Sequence, residues 1–120
     1  MLASAAAFFP QPAFAVYAAS KAFLLSFSRA LGRELKEKGI SVTAVCPGPC
    51  DTEFLTLANE GRAMPRYKTF FISECETVAG RLLKSALRRR KLCLPSFSAK
   101  LLYAARKIVP DSVVLFALRH

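Results

Sequence analysis

The chain has 120 residues, of which 53% are hydrophobic, and its formal net charge at pH 7 is +10. This length suits one domain, and the apolar fraction predicts a packed interior rather than a disordered chain. No apolar run reaches the roughly 18 residues that a membrane-spanning helix needs, and the first residues lack the charged start of a secretory signal, so we expect a cytoplasmic protein.

The positive charge lies in the second half of the chain. Residues 1–60 hold five basic and five acidic side chains, whereas residues 61–120 hold thirteen basic and three acidic ones. The densest cluster, residues 88–91, suits either a phosphate-bearing partner or a solvated helix end whose cations face the C-terminal dipole, and we favour the helix end. No aromatic residues interleave the cluster, so nucleic acid is not an expected partner.

The four cysteines show no C-x-x-C spacing: Cys46, Cys50, Cys75 and Cys93. The spacing therefore indicates neither a metal site nor a thioredoxin-like motif. Buried free thiols in a reducing compartment are the expected state.

In chain order, the first predicted element is a helix over residues 13–38. Apolar residues recur there at intervals of three and four, which is the helical period. They are Leu24, Phe27, Leu31 and Leu35. Phe23 and Ala30 form a second apolar edge, and Gly39 supplies a C-terminal stop.

A short strand buried on both faces is predicted over residues 40–46, followed by a loop with short helical turns over 52–72. Ser73 and Glu76 form a capping box that begins a helix over about 74–89. Residues 92–94 predict a final short strand, and two amphipathic helices over 97–108 and 111–118 are separated by a proline. This order of helices and buried strands is typical of an α/β fold with a parallel sheet.

Tyr17 and Lys21 stand four residues apart near the start of the first helix, with Ser4 thirteen positions before the tyrosine. The i, i+4 spacing places the phenol and the ammonium on one helix face, where the cation favours the ionised phenol. Tyr17 is therefore a candidate general acid/base. Each residue also has a structural interpretation, as a packed tyrosine, a solvated lysine and a terminal serine.

The segment Tyr17-Ala18-Ala19-Ser20-Lys21 resembles the Tyr-x-x-x-Lys motif of the short-chain dehydrogenase/reductase family, and Ser4 lies at the family's usual distance before it. Residues 42–52, with Pro47-Gly48, resemble the strand end that closes over the nicotinamide. The resemblance is sharpest over residues 1–54. It implies the C-terminal half of a doubly wound, Rossmann-type parallel-sheet domain.

The resemblance divides residues 1–120 of this partial domain into three parts: a catalytic and nicotinamide-side segment over 1–54, a substrate loop over 55–72, and the C-terminal helices with the last strand over 73–120. The glycine-rich phosphate-binding turn of a dinucleotide fold is absent from the 120 residues. We therefore expect the chain alone to be inactive.

Catalytic roles follow from the resemblance for Ser4, Tyr17 and Lys21. Tyr17 exchanges a proton with the carbonyl or alcohol oxygen, Lys21 stabilises the tyrosinate and bonds the nicotinamide ribose, and Ser4 holds the carbonyl oxygen. The reaction implied is hydride transfer between a nicotinamide cofactor and a carbonyl or secondary alcohol.

The resemblance also assigns cofactor contacts. Besides Tyr17 and Lys21, they are Pro47, Gly48, Cys50 and Thr52. Gly48 is expected to let the backbone approach a flat ring, and Thr52 also suits an N-cap. The cofactor is NAD or NADP, since the residues that read the 2′-position in the family lie elsewhere.

Phe54, Leu55 and Leu57 fall in the family's substrate-covering segment and predict a hydrophobic substrate, acyl or sterol-like, although simple loop packing explains them too. Besides a small-molecule substrate, the resemblance implies a second copy of the chain as a partner, in a homo-oligomer formed through the helix over 13–38. A core position for that whole helix is the alternative.

The competing hypothesis for function is a non-enzymatic remnant, a basic amphipathic protein that binds a membrane surface or a partner through residues 81–118.

Overall fold

The computed structural model describes residues 1–49 and 74–117. Three parallel extended segments form its sheet. Strand β1 (Ala44–Val45) is paired in parallel with β2 (Leu92–Cys93), with Ala44 opposite Leu92 and Val45 opposite Cys93. On the other side of β1, a parallel bridge joins Val45 to Leu2. The predicted parallel α/β arrangement is thus confirmed.

Backbone hydrogen bonds extend this pairing beyond the two-residue strands. The Ala3 N–H donates to the Val45 carbonyl at 2.8 Å, and the Cys46 N–H donates to the Cys93 carbonyl at 2.9 Å. Thr43 to Cys46 are all buried, as expected of a central parallel strand covered on both faces. The strand predicted over 40–46 is therefore shorter but in the expected place.

Helices connect these segments and cover the sheet. A 3₁₀ turn over Ala5–Phe8 follows the first extended segment. The four α-helices of the described residues are α1 (Ala15–Glu34), α2 (Cys75–Leu87), α3 (Phe97–Ala105) and α4 (Asp111–Ala117), and a second 3₁₀ turn spans Lys36–Lys38. Each predicted helix is present, but α1 ends at Glu34 and α3 at Ala105, earlier than the bounds 13–38 and 97–108 predicted from the sequence. Gly39 ends the second 3₁₀ turn with φ 72°, a conformation that glycine adopts at little cost.

The core lies between α1, the first 3₁₀ turn and the sheet. Its buried members are Ala3, Ala5, Phe8, Leu25, Ala44, Cys46 and Ala99. Most are small, which allows the helices to approach the strands closely.

The buried face of α1 differs from the predicted one. Ala18, Leu25 and Ser28 are buried, whereas Phe27 is 43% exposed and Phe23 is 65% exposed. The two phenylalanine rings stack on each other at 5.7 Å between centroids. The idea that this whole helix is core is therefore wrong, because one of its apolar edges faces outward.

Helix α2 ends without glycine. Arg88 is its C-terminal cap, and Arg89 takes the left-handed conformation with φ 52°. The Arg89 N–H donates to Ala86 O and the Arg90 N–H donates to Ser85 O, the two bonds of a Schellman motif. The basic cluster therefore does form an exposed helix end, as the sequence predicts.

Candidate active site

The carboxyl ends of the three extended segments meet at one edge of the sheet. Ser4 follows the first segment, and the Ala5 N–H beside it donates to the Pro47 carbonyl at 2.8 Å. Pro47 and Gly48 follow β1, and the Gly48 N–H donates to Ser96 Oγ at 3.2 Å, just beyond β2. Ligands of open α/β sheets bind at this edge. The structure thus brings Ser4 and the Pro47-Gly48 pair, distant in sequence, to the same place.

Ser4 has a local structural role. Its backbone is extended and its Oγ accepts a hydrogen bond from the Ala6 N–H at 3.1 Å, which caps the first 3₁₀ turn. A hydroxyl has one donor hydrogen and two acceptor lone pairs. Because the cap uses only an acceptor position, the Ser4 O–H retains a hydrogen to donate toward a carbonyl oxygen.

Tyr17 and Lys21 occupy the first two turns of α1, and both side chains are half-buried. The Lys21 Nζ lies 5.5 Å from the centroid of the Tyr17 ring. This distance is within the range of a cation–π contact, so the i, i+4 pair predicted from the sequence is formed. Ser20 lies between them in sequence, and its Oγ donates to the Tyr17 carbonyl at 2.7 Å.

Lys21 also contacts the sheet. Its Nζ donates to the Leu2 carbonyl at 3.4 Å, across nineteen positions of sequence. Leu2 lies two residues before Ser4 in the segment that pairs with β1. The ammonium therefore links the Tyr17 turn of α1 to the segment that carries Ser4.

Gly48 is packed against side chains of this same chain. A Cβ at Gly48 would lie 2.8 Å from Ser96 Oγ and closer still to Ser98 Oγ, both too short for real contacts. Packing within this chain therefore explains why position 48 is a glycine. Close approach of a flat cofactor ring, the reason expected from the sequence, stays a prediction.

Ser96 and Ser98 are the residues at this edge that sequence reasoning missed. Both are buried, and their hydroxyl oxygens lie 3.1 Å apart. Ser96 Oγ also accepts from the Ala99 N–H at 3.1 Å, so it caps α3 while holding Gly48. A serine directly after Pro95 and before an apolar run is an N-cap signal, which could have identified Ser96 as the start of α3 but not its contact with Gly48.

Cys46 lies beneath the site and is fully buried. Burial raises the pKa of its thiol to about 11, although the Arg29 charge and the Ser4 backbone N–H act in the opposite direction. The thiol therefore stays protonated at neutral pH and is a core group rather than a nucleophile. Cys93 is buried as predicted, whereas Cys75 is exposed on α2.

The remaining predicted site residues lie outside the described residues. They are the cofactor-side Cys50 and Thr52 and the substrate-side Phe54, Leu55 and Leu57. Within residues 1–49 and 74–117, no helix is both long and apolar enough to cross a membrane.

Comparison with known proteins places this geometry in a family. The family model described as short chain dehydrogenase matches residues 1–63, the half of the chain that holds Ser4, Tyr17, Lys21 and Gly48. The chain belongs to the short-chain dehydrogenase family.

Curated relatives match about half of this chain or more. Serine 3-dehydrogenase of Agrobacterium fabrum is 47% identical over 60 residues, which are 50% of this chain and 24% of that protein. Very-long-chain 3-oxoacyl-CoA reductase of Anas platyrhynchos is 36% identical over 77 residues, which are 64% of this chain and 25% of that protein. The matched segments thus span about a quarter of each relative.

A solved short-chain dehydrogenase from Sphingobium yanoikuyae, in complex with NADPH, superimposes with a TM-score of 0.69 and 28% identity, over 98% of this chain and 43% of that one. A bulky-bulky ketone specific alcohol dehydrogenase from Comamonas testosteroni superimposes with a TM-score of 0.57 and 25% identity, over 78% of this chain and 32% of that one. Both likenesses support the parallel-sheet fold of this family for the chain.

Proposed function

We propose that this chain is the catalytic and substrate-side part of an NAD(P)-dependent oxidoreductase that interconverts a carbonyl and a secondary alcohol in the cytoplasm. One observation carries the proposal. Lys21 lies beside the Tyr17 ring and at the same time bonds the Leu2 carbonyl, so a phenol and a cation stand next to the segment that ends at Ser4. These three residue types are the ones to which the family resemblance assigns the proton transfer and the binding of the carbonyl oxygen.

The residues present fit the nicotinamide end of a dinucleotide. Lys21 offers an ammonium with three donor hydrogens, which suits ribose hydroxyls, and the Pro47-Gly48 backbone lies at the carboxyl edge of the sheet where such ligands bind. When bound, the cofactor supplies or accepts the hydride. Both NAD and NADP remain candidates for this chain.

The chain's own residues manage the proton and the oxygen. Tyr17 gives a proton to the carbonyl oxygen in reduction and takes it back in oxidation. Lys21 stabilises the tyrosinate that forms, because a nearby positive charge favours the ionised phenol. Ser4 donates its hydroxyl hydrogen to the same oxygen and orients it.

The phosphate end of the cofactor has no counterpart in these 120 residues. In a dinucleotide-binding fold, the cofactor's pyrophosphate is bound by a glycine-rich turn that directs backbone N–H groups and a helix N-terminus at the phosphates. The five glycines of the sequence include no G-x-G-x-x-G spacing. We expect the 120-residue polypeptide by itself to lack submicromolar affinity for NADH and NADPH, and hence to lack activity.

A hydrophobic carbonyl substrate, acyl or sterol-like, is the class that we propose, on the strength of Phe54, Leu55 and Leu57 in the sequence. One relative's name, very-long-chain 3-oxoacyl-CoA reductase, is consistent with this class. The exposed apolar edge of α1 supports a homo-oligomer through that helix, since large apolar patches mark interaction surfaces.

A specific observation also favours the competing function, a non-enzymatic protein that binds anionic membranes through residues 81–118. Ile108 is 83% exposed and Phe97 is 75% exposed, in a part of the chain rich in cations. Salt-sensitive co-sedimentation with phosphatidylserine vesicles, together with no activity in any complete context, would support this competitor.

The deciding experiment supplies a complete domain. In the Sphingobium yanoikuyae enzyme, the segment that superimposes on this chain is replaced by residues 1–120, which gives a chimera with a phosphate-binding half. We expect the chimera to oxidise NADPH or NADH with a hydrophobic ketone, while the 120-residue polypeptide shows neither turnover nor submicromolar binding of either dinucleotide in titration calorimetry. A folded, cofactor-binding chimera without turnover on a panel of acyl and cyclic ketones would contradict the proposed function.

A further inference from the structure

A groove of about 400 Å³ lies between α2, β2 and α3, away from the Tyr17 turn. Side chains from three parts of the chain line it with positive charge. These are Arg81, Lys84 and Arg88 of α2 and its cap, Arg90 before β2, and Lys100 of α3. Their convergence is a tertiary feature, since Arg81 and Lys100 are nineteen positions apart.

The helix dipole explains only part of this cluster. Lys84 and Arg88 lie at the C-terminal end of α2, where a cation is favourable. Arg81 lies in the middle of that helix, and Lys100 is the fourth residue of the nine in α3, where the dipole offers a cation no such stabilisation. A solvated helix end therefore does not account for the groove.

Repulsion between the cations along α2 opposes the folding of that helix. Arg81 and Lys84 are three apart and Lys84 and Arg88 are four apart on α2, and such like-charge pairs destabilise a helix. No carboxylate is among the described residues that line the groove. The Arg81 guanidinium is held by a hydrogen bond to the Pro95 carbonyl, which keeps one cation at the groove wall. An anion in the groove would relieve the repulsion.

We propose that this groove binds a ligand that carries two or more phosphate groups. Three of its five cations are arginines, whose planar donor groups match phosphate oxygens in pairs. The remaining lining residues that the structure describes are apolar or small and include no aromatic ring, which disfavours a single-stranded nucleic acid. This inference is independent of the proposed oxidoreductase function, because no catalytic candidate lines the groove.

Titration calorimetry of the 120-residue chain with sodium pyrophosphate and with tripolyphosphate tests the proposal. We expect saturable binding that is tighter for tripolyphosphate and weakens as salt is added. The double variant Lys84→Gln/Lys100→Gln should bind at least about tenfold more weakly, because it loses two charge-assisted contacts. The matched double variant Lys36→Gln/Lys38→Gln removes the same charge from an exposed turn outside the groove and should retain affinity within about twofold.

Equal weakening in the two double variants would show non-specific attraction to net charge and would overturn the proposal, as would the absence of binding to either phosphate. Thermal unfolding provides a second readout. Tripolyphosphate should raise the Tm of the parent and of the control variant but not that of Lys84→Gln/Lys100→Gln.

Vesicles distinguish the two sources of phosphate. If the ligand is a lipid headgroup, phosphatidylcholine vesicles containing a phosphoinositide bisphosphate should bind the parent, and tripolyphosphate should displace them. If the ligand is a soluble molecule, tripolyphosphate alone should bind. Vesicle binding that survives the loss of Lys84 and Lys100 and resists tripolyphosphate would assign the lipid contact to another surface and count against the groove.

Discussion

The Lys21 ammonium donates a hydrogen bond to the Leu2 carbonyl at 3.4 Å, and in the same position it lies 5.5 Å from the Tyr17 ring. One cation thus joins the first turns of α1 to the extended segment that ends at Ser4. The ammonium therefore links the phenol of Tyr17 to the segment that leads to Ser4.

Tyr17→Phe tests the proton donor. In the chimera, the loss of the hydroxyl should reduce turnover by about 10²–10⁴-fold, the usual contribution of a general acid/base, with cofactor affinity little changed. The matched control is Tyr103→Phe, whose hydroxyl accepts a hydrogen bond from Arg29 and whose ring packs on Phe8. Activity of Tyr17→Phe within a few-fold of the parent would exclude Tyr17 as the donor.

Lys21→Met should lower turnover and weaken cofactor binding together, because one ammonium serves the phenol and the ribose. It also removes the bond to Leu2, so we expect a small loss of thermal stability, on the order of 1 kcal/mol. Steady-state kinetics and calorimetry in the chimera measure the two effects, with Lys38→Met at an exposed position as the control. Unchanged affinity for NADH and NADPH would argue against the ribose contact.

Gly48→Ala should destabilise the chain by about 1–3 kcal/mol, the usual cost of overpacking. The added Cβ would overlap the hydroxyls of Ser96 and Ser98. The same substitution at Gly80 is the control: that residue lies within α2 with no neighbouring atom within 4 Å of the added group, so Gly80→Ala should stabilise by about 0.5–1 kcal/mol. Urea unfolding measures both, and a neutral Gly48→Ala would contradict the packing explanation.

The raised pKa of the Cys46 thiol predicts that the free energy of unfolding depends on pH. Its folded pKa is raised from 9.0 to about 11, so between these values the unfolded chain releases a proton that the folded chain retains. The stabilisation is fully present below pH 9 and is lost as the pH rises toward 11. Unfolding free energies should therefore fall more steeply in this range for the parent than for Cys46→Ala, and parallel curves would show that the thiol does not ionise on unfolding.

Phe23→Glu should abolish the proposed association through α1, because it puts a charge on the exposed stacked pair with Phe27. Light scattering after size exclusion measures the mass of the chimera and its variant. Phe97→Glu, at an exposed position of α3, is the control and should leave the mass unchanged. A monomeric parent chimera would rule out this interface.

Much of the fold could be predicted from the sequence because its signals are local. The i, i+4 relation of Tyr17 and Lys21 requires only a helix, and the observed α1 provides it. Helix α2 and strand β2 were likewise predicted from periodicity and β-branched or apolar runs, with ends within two residues of those observed. The end of α2 lacks the glycine that usually indicates a helix terminus in a sequence, because Arg89 itself adopts the left-handed conformation there.

Which residues meet across the fold was decided by tertiary structure alone. The bond between Gly48 and Ser96 joins positions forty-eight residues apart, and the groove brings Arg81 to Lys100, neither of which any local period relates. The outward position of Phe23 also depends on how α1 is rotated against the sheet, which buries Ala18, Leu25 and Ser28 instead. Local hydrogen bonding and side-chain period determine helices and strands, whereas the packing of their faces determines which chemical groups share a site.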